Sequence, residues 1–201
     1  MEMMNEAQWD KLLKIRTSGR DASHAGAFYY PYEPTPYSVL ERLAASGFIG
    51  KGNTLIDYGC GKGRVGFFLA NQTRCRCIGI EFDERIFKAA QKNKESAVSG
   101  GQVDLICAHA EAYEVPAEAD RFYFFNPFSV EILKKVLGKI RKSLDENPRK
   151  VFLVFYYPSD EYAFFLMEMC SWELTLADEV DCIDLFEGED RREKCLVFRM
   201  E

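Results

Sequence analysis

Apolar and polar positions change period along this chain. Between residues 54 and 157, short extended apolar runs at 54–58, 75–82, 103–107, 121–126 and 151–157 alternate with segments of helical spacing at 64–71, 83–97 and 130–144. A two-residue period or a short continuous apolar run marks a strand, and a period near 3.6 marks a helix with one buried face. The clearest helical stripe is Leu133, Val136, Leu137, Ile140 and Leu144, with Lys134, Lys135, Lys139, Arg141 and Lys142 on the remaining face. Strands alternating with helices predict an α/β fold: a doubly wound, mostly parallel sheet covered on both sides. After residue 157 a helix through Cys170 is followed by extended segments near 172–177 and 195–200, with an acidic stretch between them. No crossover helix separates these two segments, so they predict a C-terminal antiparallel hairpin at the sheet edge and seven strands in all.

The front of the chain follows a different pattern. Residues 8–15 place Trp9, Leu12 and Leu13 on one side of a short helix, and Gly, Ser and Pro then break any period. Phe28, Tyr29, Tyr30, Tyr32 and Tyr37, interleaved with Pro31, Pro34 and Pro36, precede the first strand. Such a segment suits either a cover over a site on the sheet or aromatic packing of the N-terminus. The chain is therefore divided into residues 1–33, an N-terminal lid or extension expected to be separable from a folded core, and residues 34–201, the main domain. Thr35 and Pro36 are expected to cap and open a helix carrying Val39, Leu40, Leu43 and Ala44, which Gly47 stops.

Composition narrows the class. With 201 residues, 47% hydrophobic and 29% charged, the chain has enough apolar content for one buried core, and no apolar run approaches the ~20 residues of a membrane span. The N-terminus lacks the basic start and apolar stretch of a secretory signal, which predicts a cytoplasmic protein without a membrane partner. Lys and Arg total 26 against 32 Asp and Glu, a net charge of -6, which argues against strong non-specific nucleic-acid binding. Seven scattered cysteines without a CxxC pair, and two distant histidines, predict core thiols and no metal site. Asp178, Glu179, Asp181, Asp184, Glu187, Glu189 and Asp190 suit a solvated loop or attraction of a basic protein.

The chemistry concentrates where the first strand meets closely spaced glycines, at Asp57-Tyr58-Gly59-Cys60-Gly61-Lys62-Gly63, before a helix. Glycines permit unusual dihedrals and close approach of a ligand to the backbone, and the helix start offers free N–H groups. Gly61, Gly63 and Gly66 satisfy G-x-G-x-x-G, and Glu81 ends the next strand, so a dinucleotide is one reading. Asp57 discriminates. A carboxylate at this turn repels a pyrophosphate and attracts a ligand carrying an ammonium and a sulfonium, as S-adenosylmethionine does. Cys60 beside Asp57 is expected to pack rather than to act as a nucleophile.

This segment resembles the first motif of class I S-adenosylmethionine-dependent methyltransferases, and the element order from about residue 35 to 200 is similar to theirs. The resemblance implies their Rossmann-like fold and S-adenosyl-L-methionine as cofactor. Its carry-over places Asp57, Gly59, Cys60, Gly61 and Gly63 at the cofactor, with Glu81 on the ribose hydroxyls and Phe82 beside it. His109-Ala110-Glu111 falls where the family contacts adenine; His109 replaces the usual Asp, which shifts that role to Ala110 or Glu111. Asn126-Pro127-Phe128 resembles the fourth motif of enzymes that methylate nitrogen, with one Pro where that motif has two. Asn126, Pro127 and Phe128 are accordingly the candidate catalytic residues, with Asn126 also at the cofactor's edge. The implied activity is methyl transfer to an amine or amide nitrogen of a protein, nucleobase or small molecule. An NAD(P)-dependent oxidoreductase and a catalytically silent binding module are the alternatives.

Overall fold

The computed structural model describes residues 4–21, 29–169 and 173–200. One sheet is built from β1 (Thr54–Tyr58), β2 (Arg76–Glu81), β3 (Val103–Cys107), β4 (Arg121–Phe124), β5 (Val151–Tyr156), β6 (Leu174–Asp181) and β7 (Lys194–Met200). Their spatial order is β3-β2-β1-β4-β5-β7-β6. β1 to β5 run parallel, and β7 lies antiparallel to both β5 and β6, so the hairpin inserts its second strand and leaves its first at the edge. The helices are α1 (Glu6–Leu13), α2 (Tyr37–Ala45), α3 (Arg64–Thr73), α4 (Glu84–Ser96), α5 (Val130–Glu146) and α6 (Asp160–Met169).

Alternation along the strands sorts their side chains into two cores. Leu55, Tyr123, Val154 and Val197 join α1, α2 and α3 through Trp9, Leu40 and Phe68. Their neighbours Ile56, Phe122, Leu153 and Phe198 join α5 and α6 through Val136, Ile140 and Leu166. Each such side chain contributes about 1.5–3 kcal/mol when fully buried, so the apolar stripe of α5 alone anchors one face of the sheet. The strand order reverses between β1 and β4, and a crevice opens at the carboxyl ends of a parallel sheet at such a point.

Several boundaries differ from the sequence reading, each for a physical reason. β4 ends at Phe124 because Asn126 has φ +40°, and β5 ends at Tyr156 because Tyr157 has φ +48°; left-handed backbone cannot continue a strand. β6 runs through Asp178, Glu179 and Asp181, residues expected in a loop. Charged side chains suit an edge strand, where they oppose pairing with another chain. Cys170 and Trp172 lie outside the described residues. Thr35 does not cap α2: Pro36 holds the cap position, Glu6 Oε1 accepts the Tyr37 N–H at 3.0 Å, and the Thr35 hydroxyl pairs with that of Tyr123 at 2.9 Å.

The front segment is not one piece. α1 starts two residues earlier than expected, because Asn5 and Gln8 form a reciprocal cap on its first turn. Trp9 and Leu13 are buried in the main core with Ile15, whereas Leu12 is exposed. Residues 9–15 thus contribute side chains to the same core as α2 and α3. Residues 29–34 form a strap over the carboxyl edge of the sheet. Among the described residues no helix is long and apolar enough to cross a membrane.

Candidate active site

The site begins at the tip of β1. Asp57 is 2% exposed, and its Oδ2 has no hydrogen-bond partner among the described residues. Burial, reinforced by nearby Glu81, pushes its carboxyl up to about 8. A buried carboxylate oxygen without a donor is costly and calls for a cation or donor supplied from elsewhere. The glycine turn that follows is folded back on β2: the Gly59 and Cys60 N–H groups both donate to Ile80 O, at 2.9 and 3.0 Å. Gly59 has φ +73°, and a Cβ there would stand 2.5 Å from that of Pro127, so glycine lets the β1 and β4 tips close on each other.

Glu81, at the tip of β2, is 6% exposed and aimed by two backbone donors. Its Oε2 accepts from the Gly61 N–H at 3.0 Å and its Oε1 from the Asp83 N–H at 2.9 Å. Burial raises its pKa and these two bonds oppose the rise. Each oxygen has acceptor capacity beyond its one backbone bond, which suits a pair of adjacent hydroxyls. Burial likewise raises the Cys60 thiol well above its ordinary range, with the acidic neighbours adding to it, which removes the thiolate a nucleophile needs.

Asp57 and Glu81 face one cavity of about 880 Å³, open mouth included. Of the residues singled out from sequence, Gly59, Cys60, Phe82, Ala110, Pro127 and Phe128 also line it. Gly61, Gly63, Glu111 and Asn126 do not. A Cβ at Gly61 would overlap the Tyr32 ring, so its bare backbone is approached by the strap. Gly63, at φ +87°, precedes α3 and leaves room for Phe67. Phe128 is 1% exposed and belongs to the core as well as to the wall, its carbonyl accepting from the Tyr162 hydroxyl at 2.6 Å. Asn126 uses both ends of its amide: Nδ2 donates to Tyr157 O at 2.6 Å, and Oδ1 accepts from the Ser159 N–H at 3.0 Å. The amide oxygen of this candidate catalytic residue is thus engaged with the chain just beyond β5.

The strap supplies cavity residues whose partners the sequence pattern did not specify. Tyr30 N–H donates to Pro127 O at 3.3 Å, and Tyr29 bridges to Phe128. The Tyr29 ring lies 4.0 Å from Phe82, and its hydroxyl contacts His109 Nδ1 at 2.8 Å and donates to Glu111 Oε2 at 3.1 Å. Glu111, expected at a ligand's adenine, is therefore held by a tyrosine of the chain itself. Arg64, in the first turn of α3, also lines the cavity and donates its hydrogen bonds to Thr17, Glu6 and Thr35 O. Clustered tyrosines before β1 were the visible signal for the strap; nothing local marked Arg64.

This sheet order, with its acidic tips on β1 and β2 at the switch point, defines a Rossmann-like methyltransferase fold. Residues 55–147 match the family model described as a methyltransferase domain. The chain is similar to the ribosomal protein L11 methyltransferase of Aeromonas salmonicida, 26% identical over 126 residues, covering 59% of this chain and 43% of that protein. A protein-lysine N-methyltransferase of Saccharolobus islandicus is 31% identical over 74 residues, covering 36% of this chain and 46% of the relative. The chain thus spans less than half the length of these relatives. Among solved structures, an S-adenosylmethionine-dependent methyltransferase from Thiobacillus denitrificans in complex with S-adenosyl-L-homocysteine aligns with TM-score 0.58 at 16% identity, over 89% of this chain and 94% of that one. An RNA methyltransferase from Salinibacter ruber, also with S-adenosyl-L-homocysteine, aligns with TM-score 0.53 at 24% identity, over 84% and 92%.

Proposed function

We propose that this chain binds S-adenosylmethionine in the cavity and transfers its methyl group to a nitrogen acceptor. The observation that carries the reading is the unpartnered Oδ2 of Asp57, buried beside Glu81 and facing the cavity. Two buried carboxylates repel a pyrophosphate and attract an ammonium and a sulfonium, by an amount that grows as water is excluded. When bound, the cofactor supplies an activated methyl carbon: the acceptor nitrogen's lone pair forms the N–C bond, the C–S pair returns to sulfur, and the nitrogen releases a proton. Glu81 accepts from the ribose hydroxyls, with its backbone bonds fixing its orientation. Gly59 and Cys60 give the amino-acid end of the cofactor its floor, and Phe82 and Ala110 flank the base. Pro127 and Phe128 complete the wall of the same cavity, and Asn126 holds the adjoining chain segments in place. The lysine nitrogen named for the Saccharolobus relative supports an amine acceptor, and the L11 relative's name supports a protein one.

Calorimetry with S-adenosylhomocysteine tests the site. Glu81→Ala removes two hydrogen bonds to ribose and is expected to lose on the order of 2–4 kcal/mol, beyond a tenfold drop in affinity. Unchanged affinity removes Glu81 from the site, and tight NADH binding by the parent protein overturns the reading. Labelled S-adenosylmethionine incubated with separated host protein, RNA, DNA and metabolite fractions then identifies the acceptor class.

A further inference from the structure

A second cleft adjoins the cofactor cavity, and Tyr30, Pro31, Glu33, Pro34 and Phe125 line both. Its other walls include Tyr156, Tyr157, Phe186 and Asn126. The charged side chains that line it, Glu33 and Glu193, are both acidic. Glu193 is fixed at the wall, its Oε2 accepting from the Tyr156 hydroxyl at 2.7 Å. Phe125 packs against the Tyr156 ring at 4.8 Å and edge-on to Tyr157 at 6.4 Å. Beneath these rings Asn126 ties the β4 end to Tyr157 O, and both residues hold left-handed backbone. Strain of this kind persists only where the surroundings impose it, and here it sets the position of two residues of the cleft.

Glu33 is paired with Arg20 at 3.9 Å, whereas Glu193 is bonded to a neutral phenol, so Glu193 carries the cleft's preference for a cation. Burial raises the phenol of Tyr30, and Glu161 and Glu131 add to the rise. Arg192 lies 4.5 Å over the Tyr157 ring with Asp190 matching its charge at 2.8 Å, so a ring of this wall already faces one cation without making the cleft basic. An ammonium group gains from the negative faces of aromatic rings and from a carboxylate at once. A phosphate or carboxylate loses on both counts, and a neutral base gains from the rings alone.

We propose that this cleft is the acceptor site and that it takes a cationic amine, an ammonium-bearing side chain or small molecule held by Tyr30, Phe125 and Tyr157 with Glu193 as counter-ion. The proposal rests on methyl transfer at the neighbouring cavity. The ammonium gives up one proton before its nitrogen lone pair is free to form the N–C bond, and the Glu193 carboxylate is the acceptor this wall offers. Methyl transfer itself places the positive charge on nitrogen, so the product leaves as the methylated ammonium, and Glu193 passes the one proton it took to water.

The full chain is saturated with S-adenosylhomocysteine, which blocks the cofactor cavity, and titrated with n-butylammonium, 1-butanol, butyrate and adenosine by ligand-observed NMR. The ammonium is expected to bind saturably and at least about tenfold more tightly than the alcohol, with no saturable binding of butyrate or adenosine. Glu193→Gln and Tyr157→Leu should each weaken it at least about fivefold while S-adenosylhomocysteine affinity stays within about twofold. Should Tyr157→Leu fail to fold, the near-isosteric Glu193→Gln decides. Alcohol or adenosine binding as tight as the ammonium, or an unaffected Glu193→Gln, overturns the proposal. If S-adenosylhomocysteine itself does not bind, the methyl-transfer reading fails, and the ammonium-against-alcohol comparison on the free chain still decides what the cleft recognises.

Discussion

Asp57 carries two opposite obligations. Its carboxyl, raised to about 8 in the folded protein, lies near 3.9 in an unfolded chain. A raised acid is neutral at no cost below about pH 4, and it withdraws stability as pH climbs from about 4 to about 8, with no further change above. Asp57→Asn should therefore match the parent's stability near pH 4 and exceed it at pH 8.5 by an amount on the order of a few kcal/mol. Urea unfolding of both proteins at the two pH values checks this; a constant difference would show that Asp57 does not titrate in this range. A bound cation reverses the preference by favouring the ionised form. S-adenosylmethionine binding should release a proton near pH 7 and tighten between about pH 6 and 8. Calorimetry in buffers of different ionisation heat reads that proton directly, and zero release would remove Asp57 from charge recognition.

At the level of elements, what matters is how β4 and β5 end. Both stop in left-handed residues, Asn126 and Tyr157, joined by the 2.6 Å bond from the Asn126 amide to Tyr157 O. The same amide accepts from Ser159, just before α6, so one side chain fixes the departure of three elements. Asn126→Ala should keep S-adenosylhomocysteine affinity within about twofold, because Asn126 is absent from the cofactor cavity, while cutting methyl transfer about 10²-fold through misplacement of the acceptor side. Affinity by calorimetry and turnover on the acceptor found by fractionation separate the two effects. Parallel losses of both would tie Asn126 to the cofactor cavity instead. An amide at a strand tip was legible from sequence as a candidate; its engagement with Tyr157 and Ser159 was not, because those partners lie 31 and 33 residues away.

For the whole molecule, the front segment and the main domain share one buried network. Arg64 is 3% exposed; its Nε donates to Thr17 Oγ1 at 2.7 Å, its guanidinium pairs with Glu6 and reaches Thr35 O at 3.0 Å, and it stacks 4.3 Å over Tyr37. Burial alone would raise Asp10, but donors from Thr17 and Tyr37, with Arg64 nearby, outweigh it and lower its pKa. That stability is present above the unfolded value of about 3.9 and is lost as pH falls through the lower folded value. Arg64→Ala should destabilise by about 3–5 kcal/mol in chemical unfolding, since it strands buried acceptors; a loss under about 1 kcal/mol would show the network to be dispensable. Removing residues 1–33 should likewise abolish cooperative unfolding, because Trp9, Leu13 and Ile15 leave the main core. By itself the sequence determined the alternation of strands and helices, the glycine turn, and the acids Asp57 and Glu81 at two strand tips, because these rest on periods and spacings within a few residues. Only the tertiary structure decided that α1 belongs to the core, that Tyr29 and Tyr32 lie on the cavity and the glycine turn, and that Glu193 joins Phe125 and Tyr157 in one cleft. Those contacts join segments far apart in the chain, and their geometry follows from packing the whole sheet.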